Sequence, residues 1–130
     1  MNNLSVLRTE RGWPGHYCLG DRCMFHRNTL LEFGEERIVV STVGAMRLSH
    51  EKDIEPIGLG RYYETMVFAA QFDDPYWDAD VSRDTEYFDC VSHCERHADL
   101  EANLMHERAV DEMTSHLVTN TVPYYKRNEE

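Results

Sequence analysis

At 130 residues the chain is long enough for one domain with its own core and too short for two comfortable ones. An apolar fraction of 42% beside 28% charged residues excludes a disordered chain, and no apolar run approaches the ~20 residues that cross a bilayer. The formal net charge of −11 argues against direct nucleic-acid binding, because phosphates would be repelled.

The charge is unevenly placed. Residues 1–61 carry eight basic and eight acidic groups, whereas 62–130 carry five basic and sixteen acidic ones, so the whole excess lies in the second half. The partners such a half suits are basic: a basic protein surface, a basic subunit, or metal cations. The opening "MNNLSVLRTERGW" has no basic stretch followed by an apolar one, so no secretory signal is expected. A cytoplasmic location with reduced thiols follows as an expectation, and the even count of four cysteines then says little about disulfides.

In chain order, residues 1–10 are an extended arm or a first edge strand. "GWPGH" (12–16) breaks regular structure, and the Gly-Asp pair at 20–21 inside "HYCLGDRCMF" suggests a tight hairpin. "NTLLEF", "GEE" and "RIVVSTV" read as strand, turn and strand, with β-branched Val39, Val40, Thr42 and Val43 and with Gly34 for the turn. Their continuous apolar runs call for a strand buried on both faces. Residues 47–60 read as a loop. "RYYETMVFAAQF" is a further strand, "DDPYW" turns the chain, and the highly charged "DADVSRDTEYF" returns as an exposed edge. From Cys90 to Leu117 the spacing of Cys90, Cys94, Ala98, Ala102, Met105, Ala109, Met113 and Leu117 predicts one long helix, with Asp89 as its cap. The expected fold is therefore a single α+β domain over 1–130: an antiparallel sheet of four to six strands with one long C-terminal helix packed across it. Residues 120–130 are read as a tail.

Two clusters carry metal-loving side chains. "HYCLGDRCMFH" places His16, Cys18, Cys23 and His26 within eleven residues, on the expected hairpin. A zinc knuckle usually separates its cysteines by two residues rather than four, and alternation puts His16, Cys18 and His26 on one face while Cys23 depends on the turn. In "CVSHCERH", a helix would align Cys90, His93, Cys94 and His97 on one face. The outer two then stand ~10 Å apart along the axis, so a site would need a ligand from elsewhere, Cys18 or Cys23. No cofactor is predicted. Zinc is the ion these ligands suit, and burial as small hydrophobic groups is the competing and preferred reading of the helix cysteines.

Complete catalytic motifs are lacking. His106 and Glu107 begin an H-E-x-x-H zinc-protease pattern, but position 110 is Val, which leaves them as the solvated side of a helix with Asp111 and Glu112. There is no nucleophile elbow, phosphate loop or dinucleotide fingerprint, and the chain reads as an enzyme less readily than as a binding protein. The acids Asp73, Asp74, Asp78, Asp80 and Asp84 could pair for metal or sugar chemistry, with Asp78 and Asp80 on one strand face.

Between Asp73 and Glu112 there are thirteen acids and three bases, with Tyr76, Trp77, Tyr87 and Phe88 among them. Carboxylates beside exposed rings can dock into a basic groove, the charges meeting Lys and Arg and the rings supplying contact area. In size and charge alone this resembles the small acidic phage proteins, several anti-CRISPR proteins among them, that inhibit nucleic-acid-binding enzymes. The stretches "GHYCLGDRCMFHRNTLLEFGEERIVVSTVG", "RYYETMVFAA" and "YWDADVSRD", residues 12–44 and 61–84 overall, resemble a group of small uncharacterised bacterial and phage-type proteins. That resemblance implies no activity. The expected partner-binding residues are Asp73, Asp74, Trp77, Asp78, Asp80, Asp84 and Glu86. The alternatives are a zinc protein or metal-dependent hydrolase built on the Cys/His clusters, and a homo-oligomer pairing the strand edge near 80–88.

Overall fold

A computed structural model describes residues 5–12, 16, 23–47, 53–58 and 60–124. Five strands, β1 (Leu7–Arg11), β2 (Cys23–Phe33), β3 (Glu36–Met46), β4 (Tyr63–Asp73) and β5 (Tyr76–Val91), are followed by helix α1 (Ala98–Thr119). The strands pair antiparallel in chain order, β1-β2-β3-β4-β5, with α1 across one face. This is the α+β arrangement expected from the residues, with β1 at one edge and the acidic β5 at the other. The Gly20–Asp21 hairpin lies outside the described residues.

The β-branched run of β3 explains its central place. Residues 38–46 are buried on both sides, as β-branched side chains suit a pleat that packs on two faces. Between β2 and β3, Gly34 takes φ 63° at the first central position of a two-residue turn, where a type II′ hairpin requires glycine. Gly44 has a different constraint: a Cβ there would meet the Tyr62 carbonyl oxygen at 2.5 Å, so β3 and the entry to β4 approach too closely for a side chain.

Helix α1 buries Ala109, Val110, Met113 and Leu117 against Leu31, Ile38, Val40 and Val67. Its first half sets Ala98, Ala102 and Met105 against Ala45, Tyr63 and Val91. Fully burying one Leu or Met side chain is worth about 1.5–3 kcal/mol, so this stripe is what holds the helix to the sheet. The helix ends at Asn120, in the left-handed conformation (φ 56°), whose amide reaches the carbonyls of His116 and Leu117.

The helix starts eight residues later than the periodicity implies. Val91 still pairs with Tyr63, and the Tyr62 amide donates to the Val91 carbonyl at 2.9 Å. Strand pairing has overridden the helical spacing of Cys90 and Cys94. Asp89 does not cap the helix; its carboxylate accepts from the Cys90 amide at 2.8 Å. His97 stands at the cap position in left-handed geometry, with no side-chain cap bond.

β5 has sixteen residues against eleven in β4, and the surplus is absorbed by register shifts on either side of Phe68. Bulges of this kind bend a strand. The β4–β5 hairpin accordingly folds over the sheet face opposite α1, where Trp77 and Ala79 pack on Leu30, Val39 and Ala70. Arg11, on the far edge strand, donates to the Trp77 carbonyl, so the two edges of the curled sheet meet.

Candidate functional site

The folded hairpin carries the first expected binding residues. Asp73 and Asp74 are exposed at its turn, which contains a cis Asp74–Pro75 bond. Phe72 and Tyr76 flank them, 56% and 57% exposed. Trp77 is not the outward anchor that the sequence suggests. It is half-buried, its ring under the Arg37 guanidinium at 4.4 Å and edge-on to Phe72 at 5.2 Å. Trp77 thus props Phe72 outward, and the sequence reading, which did not single out Phe72, missed this exchange of roles.

The remaining acids do different things. Asp78 accepts from the adjacent Ala79 amide at 2.8 Å. Asp80 accepts from Ser82 Oγ at 2.6 Å and Arg83 Nε at 2.8 Å, and these bonds, Ser82 first, hold its pKa below the usual carboxylate value. Asp78 and Asp80 are therefore each engaged by near neighbours within β5. Asp84 is half-buried opposite Phe68, and Glu86 is exposed. Further along β5, Glu86, Tyr87, Phe88 and Asp89 join Glu112 of α1 and Pro123 around an open hollow of about 560 Å³. Burial, then Asp89 and Glu112, raise the pKa of Tyr87, because phenolate formation is disfavoured beside negative charge.

Beneath the hairpin, the sheet face away from α1 holds a buried polar group. Ser41 Oγ accepts from the His16 amide at 2.9 Å and lies 2.8 Å from its Nδ1, while Nε2 lies 2.9 Å from Glu64 Oε2. Arg61 Nε stands 3.1 Å from Glu64 Oε1 without the alignment of a hydrogen bond. Burial alone would raise the Glu64 pKa, but His16 and then Arg61 outweigh it and leave it lowered. Serine, imidazole and carboxylate in series have the spacing of a nucleophilic relay. Here, though, Ser41 is fully buried in mid-strand and is engaged by the histidine's own amide, so the three groups fasten the segment at residue 16 to the sheet. In the same row of the sheet as Ser41, Arg11 donates to Asn28 Oδ1 from Nε and Nη2, at 3.0 and 2.7 Å.

On the α1 side lies a second buried histidine. His106 was expected on the solvated face, yet it is fully buried. Its position four after Ala102 and three before Ala109 is the signal that places it inward. Thr29 donates to Glu10 at 2.7 Å and so accepts from His106 Nε2, also at 2.7 Å. Nδ1 then accepts from Thr42 at 2.7 Å, and Thr42 accepts from Thr65 at 2.6 Å. Burial, then nearby Arg27, lowers the pKa of His106 to about 4, so the ring is neutral. Glu107 is also not free: it accepts from Arg8 at 2.6 Å and Arg27 at 2.9 Å, and the Arg8 bond leads in lowering its pKa to about 2.

Among the described residues, the cysteines and histidines of the two clusters do not converge. Cys23 is buried, Cys90 half-buried and Cys94 exposed, so of these three only Cys23 is a core residue. His93 pairs with Glu101 at 2.8 Å, His26 is exposed on β2, His97 is exposed before the helix, and His16 is engaged with Ser41 and Glu64. Cys18 lies outside the described residues. Among the described residues no three His, Cys, Asp or Glu side chains are placed to hold a metal ion, and no helix is long and apolar enough to cross a membrane. No family model, curated protein or solved structure matches the chain.

Proposed function

We propose that this protein acts by binding, capturing a basic surface on another protein through the acidic hairpin and the acidic strand that continues from it. The observation that carries the reading is the hairpin tip, where exposed Phe72 and Tyr76 bracket the exposed carboxylates of Asp73 and Asp74. Rings of this size lose little rotamer freedom on binding and provide anchoring area, and carboxylates steer a basic partner toward them. The underlying Trp77, clamped by Arg37, fixes the tip in advance, which lowers the cost of ordering it. A basic groove that otherwise receives nucleic acid is one target such a tip suits, with carboxylates taking the place of phosphates.

The test compares wild type with two double variants, Asp73→Asn with Asp74→Asn and Phe72→Ser with Tyr76→Ser. Affinity for a labelled decalysine peptide is measured across a salt titration. The charge variant is expected to weaken binding and flatten its salt dependence. The ring variant should weaken binding while keeping the salt slope. Equal affinity in all three proteins would refute the assignment of the tip.

A further inference from the structure

β5 is an edge strand, and its outer side is not uniformly open. The Glu86 amide, turned away from β4, donates to the Pro123 carbonyl at 2.7 Å, and Thr85 forms an antiparallel bridge with Tyr124. After helix α1 the chain therefore returns to lie along β5 for a few residues, in the manner of a short added strand. Val122 packs on the core beside α1, and the Tyr124 hydroxyl donates to Glu36 at 2.6 Å.

The chemistry beside that segment is one-sided. β5 carries Asp78, Asp80, Asp84, Glu86 and Asp89 against a single base, Arg83. Glu112 adds a further carboxylate at the hollow that Pro123 lines. A second copy's β5 laid along this edge would set like charges opposite one another, which destabilises a strand pair. An extended segment rich in Lys and Arg would instead gain both backbone hydrogen bonds and charge pairing. The chain's own sequence follows that chemistry, because Lys126 and Arg127 come directly after Tyr124 and Tyr125. Thr85 and Glu86 sit in the register shift between Asp84 and Phe88, and a second shift lies between Ala79 and Asp84, so the usable edge is short.

We propose that the outer edge of β5 around Thr85 and Glu86 is a strand-addition site for a short, extended, basic segment of a partner protein, and that Pro123 and Tyr124 hold this edge until the partner displaces them. The proposal rests on the reading of the acidic hairpin and β5 as the binding face, and it adds the partner's conformation and a built-in competitor. Side-chain charge draws the partner in, and backbone pairing at Glu86 makes the complex depend on an extended chain.

The experiment uses two labelled decapeptides of alternating Lys and Val, one ordinary and one N-methylated at alternate residues so that it cannot pair as a strand. Binding is measured to the full chain, to a chain ending at Val122, which keeps the core contact of that residue, and to full-length Tyr124→Phe. The shortened chain is expected to bind the ordinary peptide about tenfold more tightly than the full chain, the worth of a backbone hydrogen bond and its bridge. Tyr124→Phe should give a gain of about threefold, and neither protein should gain for the methylated peptide. Equal gains for both peptides would overturn strand addition and leave the acidic face as a charge-only surface. No gain from either variant would overturn the competitor role. Failure of both peptides to bind any of the three proteins would remove the underlying binding reading as well.

Discussion

The two faces of the sheet each bury a histidine, and they treat it in opposite ways. His106, under α1, touches only threonine hydroxyls, with the Glu10 carboxylate one hydroxyl further on. His16, on the face beneath the hairpin, meets the Glu64 carboxylate directly. The first environment favours a neutral ring, first because burial disfavours an imidazolium and then because Arg27 is nearby. The second joins a titratable base to a titratable acid. Two buried histidines thus do different work for the fold, according to the groups set against each ring.

The largest expected effect comes from His106→Ala. It empties a fully buried site and strips partners from Thr29 and Thr42, so a loss of about 3–5 kcal/mol in urea denaturation is expected. A loss below 1 kcal/mol would show that the hydroxyl chain contributes nothing. Next comes acid. The folded pKa of His106, about 4, lies below its ordinary value of 6.5, so the unfolded chain takes up the proton first. Stability from this group is whole above pH 6.5, falls between 6.5 and 4, and amounts to about 3 kcal/mol in all. The slope between pH 6.5 and 4.5 should flatten in His106→Gln. Glu107, held at about 2, adds a separate loss as pH falls below 4.5, because the unfolded carboxyl takes up a proton there while the paired one stays ionised.

Glu64→Gln sharpens the other half of the comparison. It keeps the shape and removes the charge facing His16 and Arg61, with an expected cost of about 1–3 kcal/mol by thermal melt at neutral pH. Because the Glu64 pKa is lowered, its contribution is present above about 4.5 and lost as pH falls through the folded value. A double-mutant cycle with His16→Ala should recover most of that cost as coupling energy. The smallest change is Arg8→Gln. Its ion pair with Glu107 is partly exposed, 38% and 41% at the two side chains, and should contribute under about 1 kcal/mol.

Much of the sheet could be read from local chemistry. The β-branched run around Val39, the glycine at position 34 and the alternation from Glu64 to Phe72 each act over a few residues, and each element formed where those signals lie. The ends of the elements followed tertiary pairing instead. Cys90 to His97 have helical spacing, but Val91 is claimed by Tyr63, and no window along the chain contains that partner. The acidic hairpin tip was legible as charge, since acids can be counted, but not as shape. Whether Trp77 or Phe72 faces outward depends on how the bulged β5 folds back and on Arg37, which is forty residues away. The Ser41, His16 and Glu64 relay draws on three separate parts of the chain, so no motif could have announced it.

The chain-order pairing of the strands has a consequence for synthesis. Each strand finds its neighbour in the segment just made, so the sheet can assemble by successive short loop closures, the quick kind. The helix that covers Leu31, Ile38, Val40 and Val67 is encoded after all five strands. Until the ribosome has released that helix, an apolar wall stands open to solvent, and that interval is when the nascent domain is most exposed to aggregation or most in need of a chaperone.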